Sequence, residues 1–94
     1  MELKLADSGT AFATRFRARR MLAALDYEPE VIDFEGVRSI SHSFADEFLG
    51  KILQRAADRG RSVALINLEG KASETVEEML RYRGLDDVQT RLAA

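Results

Sequence analysis

The chain has 94 residues, 46% of them hydrophobic and 32% charged, with a formal net charge of −2 at pH 7, which bounds it to one small domain with a modest core. It contains no cysteine and one histidine, so disulfides and thiolate chemistry are excluded and a zinc site would have to be built mainly from carboxylates. Acidic and basic residues are interspersed, which argues against the concentrated basic face of a nucleic-acid binder.

The opening MELKLADSG carries no apolar signal core, and no apolar run approaches a membrane-spanning length. A soluble, cytoplasmic protein is expected. Glu2 to Leu5 alternates polar and apolar and predicts an edge strand, followed by a turn at Asp7-Ser8-Gly9. Ala11 to Ala13 predicts a short second strand. A helix is expected from Thr14 to Asp26, with Ala18, Met21, Leu22 and Leu25 as its apolar stripe. After the turn at Tyr27-Glu28-Pro29, Val31-Ile32-Asp33-Phe34 reads as a buried strand. A second helix covers Phe44 to Asp58, with Phe44, Phe48, Leu49, Ile52, Leu53 and Ala56 inward and Gly60 ending it. Ser62 to Leu68 is the most apolar strand. Glu69-Gly70-Lys71 turns the chain, and a third helix is expected over Glu74 to Arg83, capped by Ser73, closed by Gly84 and burying Val76, Met79 and Leu80. The tail from Leu85 to Ala94 reads as a last short helix or a frayed end.

This order predicts a small α/β domain with a mixed, mostly parallel sheet of three to four strands and helices mainly on one face. The loops after the strands gather at one end of such a sheet, where sites usually form. The stretch DFEGVRSISHSFADEF, from Asp33 to Phe48, crosses that end with the chain's only histidine and two serines. Ser43 is read as the cap of the second helix, with Asp46 and Glu47 in its first turn. The same position suits a phosphate, because a helix N-terminus favours added negative charge. Cap and switch both remain open at Ser43.

The stretch resembles the core motif of the STAS superfamily, the anti-sigma-factor antagonists. Ile32-Asp33-Phe34 falls on their strand, Gly36-Val37 and Ile40 on their loop, and Ser41-His42-Ser43-Phe44 on their Asp-Ser-Ser-Gly. The resemblance implies that Ser43 is the phospho-acceptor. Ser41 stands at the family's acidic position and Phe44 at its glycine. More closely, Thr14-Arg15 and the block Asp33-Phe34-Glu35-Gly36-Val37…Ser43-Phe44-Ala45-Asp46-Glu47 resemble a STAS-like family of unknown function. That resemblance implies a STAS-like fold over the 94 residues and a protein partner of the histidine-kinase-like ATPase kind.

Arg15 lies three residues before Ala18, on the apolar stripe, and is expected to pair with Asp46, Glu47 or Asp33. It is either a structural ion-pair member or a charge held for a phosphate or an acidic partner. Arg17, Arg19 and Arg20 read as a solvated helix face. Ser41, His42, Ser43 and Asp46 are hydrolase residue types, but neighbours on one short loop do not face each other, and no Gly-x-Ser-x-Gly elbow is present. Glu69-Gly70-Lys71 lacks the rest of a P-loop. No enzyme activity, cofactor, metal, nucleic-acid or membrane partner is expected. The expected function is a regulatory protein–protein interaction module that docks its partner through Ser41, His42, Phe44, Asp46 and Glu47. The rival expectations are a non-switching adaptor and a toxin–antitoxin or anti-phage component.

Overall fold

The computed structural model describes residues 1–86 and 90–93. Strand β1 (Glu2–Lys4) runs into a 3-10 turn (Leu5–Ser8), and β2 (Ala11–Phe12) precedes helix α1 (Arg15–Ala24). Strand β3 (Val31–Asp33) is followed by β4 (Ser39–Ile40). Helix α2 is continuous over 42–58, with an α-helical turn at His42–Phe44, a π-helical segment at Ala45–Leu49 and a regular α-helix at Gly50–Asp58. Strand β5 (Val63–Ile66), helix α3 (Gly70–Arg83) and strand β6 (Thr90–Ala93) complete the order.

The main sheet has the order β1-β3-β5-β6, and all its pairs are parallel. Strands β2 and β4 form a separate parallel pair that places Phe12 opposite Ile40. The period of two along a strand explains the one-sided core. Ile32, Val63 and Leu65 are buried, whereas Val31, Ala64 and Ile66 on the other face are half-buried. The buried face meets the helices through Phe44, Phe48, Leu49, Ile52 and Leu53 of α2 and Val76, Met79 and Leu80 of α3. Phe12, Phe44 and Phe48 stack in series, with ring centroids 4.9 and 5.3 Å apart. The β2–β4 pair thereby anchors the loop before α2 to the core.

The α/β order, the parallel sheet and the inward faces agree with the sequence reading. Three local expectations are corrected. Helix α2 begins at His42 rather than Phe44, because Ser41 is its cap. Helix α3 begins at Gly70, and Ser73 lies inside it. Ala72 and Thr75 extend the buried stripe one turn toward its start, and Gly70, the first residue, keeps the positive φ of 59 that suits the turn read at Glu69-Gly70-Lys71. Gly84 closes α3 as expected, at φ 70, a left-handed conformation that glycine adopts without Cβ strain. The tail contributes β6 beside β5 instead of a helix. The rest of that expectation, residues 87–89 and 94, lies outside the described residues. No helix among the described residues is long and apolar enough to cross a membrane.

Candidate functional site

The chain enters α2 from the β2–β4 pair, and Ser41 fixes the geometry of that entry. Its hydroxyl accepts from the Phe44 N–H at 3.0 Å and donates to the Ala13 carbonyl at 2.7 Å. One side chain thus caps α2 and ties it to the residue ahead of the α1 cap. Thr14 caps α1 in the same way, accepting from the Arg17 N–H at 3.1 Å.

Ser43 is not the cap. It is the second residue of the helix and is exposed. Asp46 and Glu47 accordingly lie beyond the first turn, in the π-helical segment. His42 is exposed beside Ser43, and its Nε2 stands 2.6 Å from the Glu78 carboxylate on α3. That contact holds the Glu78 carboxyl below the usual range. Phe44 is fully buried and stacks between Phe12 and Phe48, so it is a core residue and not a surface contact.

Two carboxylates of α2 gather cations from three elements. The Arg15 Nη1 lies 3.0 Å from Asp46 Oδ2 and 3.3 Å from Glu47 Oε1. Lys51 Nζ donates to Glu47 Oε2 at 2.5 Å, and Arg19 Nε is 3.7 Å from the same oxygen. Arg83, at the end of α3, donates from Nε to Asp46 Oδ1 at 2.7 Å and from Nη2 to the Asp46 carbonyl at 3.0 Å. Glu47 is only 5% exposed, so its charge is held by these partners rather than by water. Asp46 titrates below its ordinary range, chiefly through Arg83 and then Arg15; Glu47 does so chiefly through Lys51.

The π-helical segment is part of this arrangement. The Gly50 N–H bonds the Ala45 carbonyl, five residues back, while Arg83 takes up the Asp46 carbonyl. A Cβ at Gly50 would collide with the Arg83 side chain. Gly50 is therefore the bare helix surface across which the guanidinium lies.

Of the expected partners of Arg15, Asp46 and Glu47 are present and Asp33 is not. Asp33 ends β3, accepts from Asn67 Nδ2 at 2.8 Å and from the Glu35 N–H at 2.9 Å, and is held below its ordinary range first by Asn67. It closes the loop after β3 and forms no ion pair among the described residues. Arg83, Gly50 and Glu78 were missed by local reading, since they reach the site from a distant helix or by omission of a side chain. A glycine amid the apolar pattern of α2 is the one signal that pointed to a close approach.

A parallel sheet with helices on its buried face, and an exposed serine at the head of α2, define a small α/β domain. The family model described as "STAS-like domain of unknown function (DUF4325)" matches residues 13–61, slightly more than half of the chain, and the chain belongs to that family. The matched span holds Arg15, Arg19, Ser41, Ser43, Asp46, Glu47 and Lys51, while Glu78 and Arg83 lie after it. Comparison with curated proteins and with solved structures gives no match.

Proposed function

We propose that the chain is a regulatory interaction module that docks a histidine-kinase-like ATPase, or a regulator of similar kind, through the head of α2, with phosphorylation of Ser43 switching the contact. The observation that carries this reading is the division of labour between two serines. Ser41 holds the cap, and the hydroxyl of the exposed Ser43 has no hydrogen-bond partner among the described residues. A phosphate can be added at Ser43 without removing the cap. The positive end of α2 favours it. Asp46 and Glu47, three and four residues on, would repel a phosphate if bare. Here Arg15, Arg19, Lys51 and Arg83 surround them, four cations to two carboxylates.

The docking face then consists of His42 and Ser43, with Arg15 and Asp46 beside them and Glu47 beneath. Phe16 and Tyr82, 68% and 90% exposed, are the sequence neighbours of the two arginines that hold Asp46.

The test is capture from the native cell with wild-type, Ser43→Ala and Ser43→Glu baits, all shown to be folded, with mass spectrometry of the partner and of bait phosphorylation. The expected result is a kinase-like ATPase held by wild type and Ser43→Ala, released by Ser43→Glu, with phosphate mapped to Ser43. If all three baits hold the same partner and no phosphate appears, the face is a constant docking surface and the switch is refuted.

A further inference from the structure

A cavity of about 240 Å³ opens at the other end of the domain, where the chain enters β3 and β5. Its floor is apolar, formed by Pro29, Ile52, Ala56 and Val63; Ile52 is 5% and Val63 2% exposed. The volume lies just below the ~300–1,000 Å³ typical of drug-sized ligands, which suits a small metabolite.

The charges at the mouth are not balanced alike. Glu28 is fully engaged: Arg61 takes one carboxylate oxygen at 2.5 Å and Arg59 takes the other. Glu30 stands at the rim, 69% exposed, with its side chain largely in solvent. Arg55, from the last turns of α2, lines the same mouth and forms no ion pair among the described residues. An apolar floor next to a cation that no described residue pairs fits one kind of guest.

We propose that this cavity binds a small organic carboxylate with a compact apolar body, the body seated on Ile52, Ala56 and Val63 and the carboxylate on Arg55. The site is separate from the head of α2 and does not depend on the partner or on Ser43. A guanidinium meets a carboxylate through paired N–H donors, so the charge of the guest, and not only its shape, should decide binding.

The test titrates isotope-labelled protein with sodium benzoate and, separately, with benzamide, a neutral molecule of nearly the same shape, following the backbone amide resonances. Saturable benzoate shifts are expected around residues 27–30, 52–56 and 61–63, with benzamide weaker by about tenfold or more. Arg55→Gln, an exposed substitution that leaves the core intact, should weaken benzoate by a similar factor and leave benzamide unchanged. Absence of saturable shifts with benzoate into the millimolar range, equal binding of benzamide, or undiminished benzoate binding to folded Arg55→Gln would each overturn the proposal.

Discussion

The two serines at the head of α2 differ in what their removal should do. Ser41→Ala loses both the bond from the Phe44 N–H and the bond to the Ala13 carbonyl, and should cost about 1–2 kcal/mol. Ser43→Ala loses no bond and should stay within about 0.5 kcal/mol of wild type. Urea denaturation of both variants checks this; equal losses would contradict it. The apolar period of Phe44, Phe48 and Ile52 places Phe44 inside the helix and is met equally by a cap at Ser43 or at Ser41, so it does not decide between them. The sequence reading sets the cap on Ser43 because it starts the helix at Phe44, whereas the bonds of Ser41 to the Phe44 N–H and the Ala13 carbonyl set the start two residues earlier. Arg15 was legible, since a charge on an apolar stripe needs a carboxylate nearby. Arg15 meets Asp46 and Glu47, while Asp33 accepts from Asn67 at another strand end.

Helix α2 is shaped by a residue outside it. Arg83 lies across Gly50 and bonds both the carboxylate and the carbonyl of Asp46. Gly50→Ala should displace Arg83, and the loss of its charge-assisted bonds, about 1.5–3 kcal/mol, outweighs the helix-propensity gain of about 1 kcal/mol. In an Arg83→Ala background nothing is displaced, so Gly50→Ala should become stabilising by about 0.5–1 kcal/mol. The sign change is the prediction, read by denaturation of the two single variants and the double variant. If Gly50→Ala has the same sign in both backgrounds, the close approach of Arg83 is not what requires the glycine. Such contacts span 37 residues and leave no trace in a local hydrophobic period. The short β4 and the strand β6 were missed for a related reason: pairing with β2 and β5 defines them, and two to four residues carry too little alternation to announce a strand.

At the scale of the molecule, stability should depend on acid in a particular way. Asp33, Asp46 and Glu47 are all held below the ordinary carboxylate range in the folded protein. Free carboxylates titrate near pH ~4, so in the window just below that the unfolded chain binds more protons than the folded one, and stability falls as pH falls. The urea midpoint should change little from pH ~7 to ~5 and drop below pH ~4.5, with a shallower drop in Asp46→Asn. A loss that is already complete at pH ~6 would contradict this account, because Asp33, Asp46 and Glu47 are all lowered. The general architecture was readable because alternating strands and helices with clear buried faces admit few arrangements. The division of the strands into a four-stranded sheet and a separate β2–β4 pair was not, because that depends on which strands meet in space.

The head of α2 joins these scales: a cap, an exposed hydroxyl and a field of cations in one place. Phosphate mapping on the protein isolated from its native cells tests that claim most directly. Phosphate on Ser43, with Ser41 unmodified, is the predicted result. Phosphate on Ser41, or no phosphate on either serine under conditions in which the docking partner is released, would contradict it.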